Sequence, residues 1–396
     1  MEGIVRYYGL DTMASPTSSQ LMTKENNAKL LFSIVMKQGT ISRAQLAKES
    51  GLSPSTVSLL TDEMIRRHIL LEAGAGESAP TGRKPILLEV DPRGLQIPCF
   101  SFQPQGLLYV LYDLKLNVME QHLVPYPPHL RPRAEKYTPS DEDLLALFGE
   151  ALQHARKMDV AKMRVMAISF YGAFLRDSNL YSSAVLGWYL NASFLDTLRR
   201  SFHNIPVFIG NVATLSAYAE KAMADIDREN LLYLHLDRGV GSGIILNNRP
   251  YTGDCGISGE IGHMLIGGQR LEDMIGAETV LHELHTRCHI DGFAAAEKAL
   301  EQHNPLVTAY VREIAESVAM AINNTLCMLG SMDVFIGGCL TEMGPVFLEL
   351  IQSAIQQLGF FRVLPHSPLS FSKLPPNGDC LGAAKAYIDS LFTVII

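Results

Sequence analysis

Beyond Gly94, stretches typical of strands alternate with stretches typical of helices to the end of the chain. Short apolar runs such as 164–170 and 231–236 are followed by longer runs with helical periodicity, such as 309–329. This alternation predicts an α/β domain in which helices pack on the sheets. Whether the two halves of this region are copies of one fold stays open, because no short-period repeat marks them.

The residues before Asp91 predict a different pattern that begins with short helices. Apolar residues recur at helical spacing over 23–36. Ser42 follows as a candidate N-cap, with Gln45 as its capping-box partner. Gly51 is placed to end this second helix, because glycine readily adopts the left-handed conformation of a helix C-terminus.

A third helix is predicted directly after that glycine. Ser53 is its candidate N-cap, and Pro54 falls in the first turn, where the missing N–H does no harm. The helix extends to about His68 and is followed by two strand-like runs, 69–71 and 85–90, with a Gly/Pro/Ser-rich loop between them. Helices joined by a tight turn and followed by a hairpin are typical of a winged helix-turn-helix domain.

Such a domain predicts DNA binding, because its third helix enters the major groove. Short hydroxyl side chains near the helix start can approach base edges or phosphates, and cationic side chains contact the DNA backbone. In the hairpin, Gly82-Arg83-Lys84 can reach a minor groove, where arginine is favoured. The predicted DNA-binding residues are Ser53, Ser55, Thr56, Ser58, Thr61, Arg66, Arg67, Arg83 and Lys84. A small helical domain used for protein contact is the alternative.

Charge and cysteine content agree with this interpretation without deciding it. The chain has a net charge of −8, but residues 22–91 carry nine Lys/Arg and eight Asp/Glu, so this segment is about +1 and the remainder about −9. The six cysteines have no paired spacing, which suits a reducing cytoplasm. No signal peptide and no apolar run of membrane-spanning length is evident, so we expect a cytoplasmic protein.

Four segments resemble the ROK family (repressors, unnamed open reading frames and sugar kinases), and most closely its NagC/Mlc/XylR-type repressors. These segments are TGRKPILLEVDPRG after the predicted hairpin, GISGEIGHM at 256–264, FIGGCLTEMG at 335–344 and CLGAAKAYID at 380–389. The resemblance covers nearly the whole chain from about Thr23, and the second segment matches the family signature. It implies an actin-like, ribonuclease H-like sugar-kinase fold of two α/β lobes with a sugar in the cleft between them.

We therefore predict three parts in the chain. These are an N-terminal arm at 1–22, a winged helix-turn-helix domain at 23–92 and a ROK sugar-kinase-like domain at 93–396. In the last part we expect a lobe boundary near 212 and a C-terminal helix that returns to the first lobe.

The resemblance also implies a set of sugar-binding residues. A sugar presents hydroxyl groups that donate and accept hydrogen bonds, so its site needs carboxylates, an amide and an imidazole. The residues that match the family's sugar site are Gly172, Ser183, Asn211, Glu260, His263 and Glu272. An exposed loop carboxylate beside a solvated histidine is the alternative for Glu260 and His263.

The chain departs from the kinases of the family at two loops. Those kinases use an aspartate as the general base, and Val212 stands at its position. Their first phosphate loop has paired glycines and an acidic residue, whereas this chain has FSFQPQG at 100–106. A glycine-rich turn at 238–243 survives, which alone is typical of a tight β-turn. We predict that the chain is not an enzyme and has no catalytic residues.

The zinc motif of many relatives is also missing. The segment after His263 is MLIGGQRLED, which lacks the cysteines that close a tetrahedral zinc site. His282, His285, Cys288 and His289 share one predicted helix, but no ligand from elsewhere is evident, so we predict no metal and no cofactor.

The functional hypothesis is a transcriptional repressor controlled by a sugar or sugar phosphate in an inactive kinase-like cleft. It would bind palindromic operator DNA as a homodimer or homotetramer. The alternatives are an active sugar kinase, a repressor controlled by a protein partner with a vestigial cleft, and an activator.

Overall fold

A computed structural model describes most of the chain. The described residues are 6–8, 19–75, 84–175, 178–223, 229–253, 257–358 and 368–395. The α-helices are α1 Ser19–Gln38, α2 Arg43–Ser50, α3 Pro54–Arg66, α4 Asp141–Gln153, α5 Ser193–Ser201, α6 Val212–Met223, α7 Leu271–Ile275, α8 Ala277–Cys288, α9 Phe293–Glu301, α10 Pro305–Leu329, α11 Gly344–Gln357 and α12 Gly378–Ile395. The strands are β1 Arg6–Tyr8, β2 Ile41–Ser42, β3 Leu70–Ala75, β4 Ile86–Val90, β5 Gln96–Gln103, β6 Gly106–Asp113, β7 Val118–Pro125, β8 Met166–Phe170, β9 Ala173–Leu175, β10 Leu180–Ser183, β11 Trp188–Asn191, β12 Val207–Asn211, β13 Leu231–Leu236, β14 Val240–Leu246, β15 Arg249–Pro250, β16 Leu265–Ile266, β17 Gln269–Arg270, β18 Asp333–Gly337 and β19 Leu369–Phe371.

The N-terminal part, which we call the head (α1 to β4), has the helix order that the sequence predicts. Ser53 Oγ accepts the N–H of Thr56 at 3.2 Å, Pro54 is the first residue of α3, and Gly51 ends α2 at φ 70°. Ser42 caps α2 by accepting the N–H of Gln45. The second half of the predicted capping box is wrong, because the Gln45 side chain donates to Glu49 instead of turning back.

The remainder forms two lobes whose central sheets have the same strand arrangement. In the first lobe the order is β7-β6-β5-β8-β12, and in the second it is β15-β14-β13-β18-β19. In both sheets the first three strands are antiparallel neighbours and the last two are added in parallel. The question that the sequence left open is therefore answered at the level of topology: the lobes repeat one strand plan. β1 adds an antiparallel strand beside β12.

The C-terminal helix α12 packs on the first lobe, although the chain has passed through the second lobe before reaching it. It lies along α6 and also contacts β5 and β8. Tyr218 Oη on α6 donates to Asp389, and Lys385 Nζ lies 2.6 Å from both Asp389 oxygens. The Tyr218–Asp389 hydrogen bond links α6 to α12, and the Lys385–Asp389 ion pair lies within α12.

The last turns of α12 also contact the head. The rings of Phe32 on α1 and Phe392 on α12 are 5.3 Å apart, and both side chains are buried. The apolar core of the head is continuous with that of α12 and the outer face of the first-lobe sheet. The head is therefore joined to the body by a packed apolar contact as well as by the chain connection at Asp91.

None of the helices in the described ranges is both long and apolar enough to cross a membrane.

The contact between α1 and α12 generates a stability prediction. Replacing Phe392 with alanine leaves a cavity in the shared core, and truncation of a buried phenylalanine typically costs about 3–5 kcal/mol. We expect Phe392→Ala to lower the melting temperature by roughly 5 °C or more, measured by circular dichroism. Met328→Ala is the control, because that side chain is 83% exposed, and it should shift the melting temperature little. Equal melting temperatures for both variants would contradict the packing described here.

Candidate functional site

Three of the predicted sugar-binding residues come together in the second lobe. Glu260 precedes the short 3-10 turn Ile261–His263, His263 is the last residue of that turn, and Glu272 is the second residue of α7. Glu272 Oε2 accepts the N–H of Val240 at 3.1 Å, which holds its carboxylate beside the start of β14. Gly262 allows the 3-10 turn to lie against Val240 and Glu272. A Cβ at this position would lie 2.3 Å from the Val240 carbonyl oxygen and 3.2 Å from Glu272 Oε2.

The charges in this group act on one another. Glu260 keeps an exposed face, but the protein around its carboxyl group raises its pKa by desolvation. The nearby His263 opposes this shift of the pKa, and the carboxylate of Glu272 adds to it. Glu260 therefore lies near enough to His263 and Glu272 for their charges to affect its pKa.

The other three predicted residues lie in the first lobe and are engaged within the protein. Asn211 ends β12, and its Oδ1 accepts the N–H groups of Ala213 at 2.9 Å and Thr214 at 3.3 Å, which caps α6. Its Nδ2 donates to the Gly172 carbonyl oxygen at 2.9 Å. Asn211 thus ties the loop after β8 to the start of α6.

Gly172 and Ser183 have structural reasons for their residue types. A Cβ at Gly172 would lie 2.3 Å from the Ser182 carbonyl oxygen, so the loop needs glycine to pack on β10. Ser183 is fully buried, and its Oγ accepts the N–H of Leu186 at 3.0 Å. A direct contact between Ser183 and a sugar is therefore not supported by this conformation.

The two lobes meet beside Glu272. A Cβ built on Gly239, in the β13–β14 turn, would lie 2.8 Å from Val185 Cγ2 and 4.0 Å from Glu272 Oε2. The turn between β10 and β11, which contains Val185, therefore lies close to Glu272 in the second lobe. Sequence reasoning missed Val185, which carries no polar signal.

A second space between the lobes, which we call the interlobe cavity, has a volume of about 430 Å³. The first lobe contributes the β5–β6 turn, Tyr171, the start of α6 and the approach to α12. The second lobe contributes Tyr233, His235, the β13–β14 turn and the residues after β18. Val212, which the sequence resemblance aligns with the general base of the kinases, lines this cavity and is only 3% exposed.

The polar groups at the base of the cavity were not predicted from the sequence. Ser101 Oγ donates to Asp379 Oδ2 at 2.6 Å, and the backbone N–H groups of Arg238 and Cys339 donate to Asp237. Burial lowers the pKa of His235, and its two ring nitrogens have no hydrogen-bond partner. Only their positions in the sequence could have pointed to them. Asp237 directly precedes the glycine-rich turn at 238–243, and Asp379 directly precedes CLGAAKAYID at 380–389, which resembles the ROK family.

The head presents one face of α3 to solvent. Ser53 and Ser55 are exposed at its start, Arg66 and Arg67 are exposed at its end, and Thr56 and Ser58 are half-buried. Leu59, which the sequence reasoning missed, is 61% exposed on this face, where it follows Ser55 by one helical turn. An exposed leucine is the kind of side chain that contacts a thymine methyl group.

Arg43 braces this face from α2. Its guanidinium group contacts Asp62 at 2.8 Å, Glu72 at 3.1 Å and Thr61 Oγ1 at 3.2 Å, so it joins α2, α3 and β3. Thr61 is fully buried, and its hydroxyl also donates to the Val57 carbonyl oxygen at 2.8 Å. The predicted DNA contact by Thr61 is therefore not supported.

Of the two DNA-binding residues predicted in the hairpin, Arg83 and Lys84, the structure describes one. Lys84 is exposed just before β4, whereas Arg83 lies outside the described residues.

The described residues contain no group of three His, Cys, Asp or Glu side chains that could hold a metal ion. In the histidine-rich helix α8, His285 Nδ1 lies 2.8 Å from Asp291 Oδ1, while Cys288 is buried.

Comparison with known proteins finds similarity over the body and over the whole chain. The ROK family model matches residues 132–387. The xylose repressor of Bacillus spizizenii is 25% identical over 408 residues, which cover 96% of this chain and 99% of that protein. The DNA-binding transcriptional dual regulator NagC of Escherichia coli K12 is 24% identical, with coverages of 86% and 87%. A crystal structure of a ROK family transcriptional regulator, a homolog of the E. coli MLC protein, superposes with a TM-score of 0.75 at 21% identity, with coverages of 94% and 98%.

The raised pKa of Glu260 generates a pH-dependent prediction. Above its folded-state pKa the carboxylate is charged in a desolvating position, so Glu260→Gln should raise the melting temperature at pH 7. Below the unfolded pKa of about 4.5 both forms are neutral, and the difference should vanish. Thermal melts of both proteins from pH 4 to pH 8 measure this. Exposed Glu349→Gln on α11 is the matched control. A loss of stability at pH 7 would contradict the assignment.

Proposed function

The chain belongs to the ROK family, and on this premise we propose that it is a cytoplasmic, sequence-specific transcriptional repressor. The winged helix-turn-helix domain predicted at 23–92 binds operator DNA. The body, 93–396, binds a sugar or sugar phosphate beside Glu260, His263 and Glu272. Two or four copies assemble so that paired heads match a palindromic site.

The observation that carries this proposal is the position of α12. Its first turn lines the interlobe cavity through Asp379, and its last turns pack on α1 through Phe392. With 18 residues the helix is about 27 Å long, so one rigid element reaches from the space between the lobes to the DNA-binding head.

The sugar site and this helix are linked through the contact between the lobes. A ligand held by Glu260, His263 and Glu272 in the second lobe would also meet the β10–β11 turn of the first lobe, because Val185 lies against Gly239. Binding would then change the angle between the lobes. Since α6 and α12 move with the first lobe, the head would move as well.

A small movement suffices to control DNA binding. Half-sites one helical turn apart demand a fixed separation of the two heads, so a displaced head loses contacts at one half-site. The effector then weakens DNA binding because it binds one arrangement of the lobes more tightly than the arrangement that fits the operator.

Two features favour a regulator over a kinase. The aliphatic Val212 faces the cavity, and an isopropyl group cannot take a proton from a sugar hydroxyl. The β5–β6 turn at Gln103-Pro104-Gln105 offers a proline, which has no N–H, where phosphate loops use backbone amides. The similar proteins named above are regulators, which agrees with this assignment.

Control by a protein partner, and activation in place of repression, are the remaining alternatives. A sugar-independent repressor would keep its operator affinity in every sugar tested. An activator would raise transcription from its site, and operator affinity alone does not distinguish it from a repressor.

The first test is a titration of labelled operator DNA, selected from a random library, with the full-length protein and a panel of sugars that begins with D-xylose. We expect one sugar or sugar phosphate to weaken operator binding at least fivefold, within the range of known couplings. No ADP should form when the same sugars are mixed with the protein and ATP. Sustained ADP release would favour the kinase, and an unchanged operator affinity in all sugars would overturn effector control.

The second test concerns the exposed side chain of Leu59. If it contacts a thymine methyl, Leu59→Ala should weaken binding to the selected operator roughly threefold to tenfold, because about one apolar contact is lost. Binding to random DNA should not change, since phosphate contacts remain. Leu306→Ala, also 60% exposed but on α10 of the body, is the matched control. An operator affinity equal to that of the unmodified protein would remove Leu59 from the DNA interface.

A further inference from the structure

Arg43, the first residue of α2, contacts two other elements of the head at once. Its guanidinium group is planar and directs its N–H groups along fixed lines. Nη2 donates to Asp62 Oδ1 of α3 at 2.8 Å, and Nε donates to Thr61 Oγ1 of the same helix at 3.2 Å. Nη1 donates to Glu72 Oε1 of β3 at 3.1 Å. One side chain therefore fixes the start of α2, the middle of α3 and the strand β3 relative to one another.

The contact with Thr61 anchors the guanidinium group to the interior of α3. Thr61 is fully buried, and its hydroxyl donates to the Val57 carbonyl oxygen at 2.8 Å. A hydroxyl oxygen that donates its proton keeps lone pairs to accept, and Arg43 Nε donates to them. Arg43 is thus tied to a buried group of the helix in addition to two carboxylates at the surface.

The contact with Glu72 falls where β3 is least constrained by its sheet. The pairing of β3 with β4 shifts register between Glu72 and Gly74, and Gly74 has φ 109°. An irregularity of this kind bends a strand and interrupts its hydrogen-bond ladder. Beyond this point the chain runs into the hairpin predicted to reach DNA. Arg43 therefore holds β3 at the position where its direction can change.

The stability of the fold gives these contacts little importance, whereas their location gives them more. The side chains of Asp62 and Glu72 are 60% and 46% exposed, and ion pairs with such exposed carboxylates add little to the free energy of unfolding. Asp62 follows Leu59 by three residues, so it lies on the same exposed face of α3. A carboxylate without a cation on that face would repel DNA phosphates.

We propose that Arg43 is a positioning residue for operator recognition, which sets the angle between α3 and the β3–β4 hairpin and neutralises Asp62 and Glu72 beside the DNA. This inference rests on the proposed DNA-binding function. If α3 enters the major groove and the hairpin reaches a minor groove, both contacts form together only at one angle. Random DNA is bound through phosphates, which tolerate a less fixed angle. Arg43 therefore acts on the preference for operator over random DNA.

The test compares full-length variants for their affinities to the selected operator and to random DNA of equal length, at one salt concentration. Arg43→Lys keeps the positive charge but cannot direct N–H groups to three partners in a fixed plane. We expect this variant to weaken operator binding at least fivefold and random-DNA binding less than twofold. Arg249→Lys, at an exposed position of β15 in the body, is the matched control and should change neither affinity.

A second variant separates positioning from charge. Glu72→Ala removes a negative charge from the head, so electrostatics alone predicts tighter binding to every DNA. The positioning role predicts the opposite for the operator, because β3 loses its contact with Arg43. We expect operator binding at least threefold weaker, with random-DNA binding equal or tighter. An unfolded variant cannot give this result, because it would lose both affinities together.

The ratio of operator affinity to random-DNA affinity decides the proposal. A ratio in Arg43→Lys or Glu72→Ala equal to that of the unmodified protein would overturn the positioning role. Equal losses on both DNAs would overturn it as well, since a change of charge or of folding acts on both alike. If the unmodified protein preferred no DNA sequence, the proposed function itself would fail, and this inference with it, so the two failures are distinguishable.

Discussion

The contact between the last turns of α12 and the head is the interaction on which the rest of the structure depends. Phe392 packs against Phe32 in a core that the head and the first lobe share, so the head is not a separate domain on a flexible linker. The first turn of the same helix, which contains Asp379, lines the interlobe cavity. A helix fixed at both ends transmits displacement because packed interiors deform little. The proposed DNA-binding and ligand-binding parts of the chain are therefore connected by this one helix.

The space between the lobes combines close backbone packing with a buried aliphatic side chain. The two lobes repeat one strand plan, and glycines at 239 and 262 still allow close approach around Glu272. Val212 is buried and aliphatic, and it lines the interlobe cavity. Acidic side chains line the interlobe cavity, and the nearby imidazole of His235 has buried ring nitrogens with no hydrogen-bond partner.

Local signals in the sequence predicted local structure well. Ser53, Pro54 and Gly51 act as cap, first-turn residue and helix end because these roles depend on their immediate neighbours. Gln45 did not follow its pattern, since Glu49 one turn along competes for its amide. The polar base of the cavity was not predictable: Ser101 and Asp379 bond across 278 positions, and no spacing rule reports such a pair. Thr61 was misjudged because Arg43 from another helix accounts for its hydroxyl.

Hydrogen–deuterium exchange of the full-length protein, with and without the sugar that weakens operator binding, tests the central claim most directly. If the account is right, the sugar changes amide exchange in the 260–272 segment and also along α12 and α1. These two helices lie at opposite ends of the chain, at Gly378–Ile395 and Ser19–Gln38. Exchange that changes around 260–272 alone, with α12 and α1 unaffected while operator binding still weakens, would contradict it.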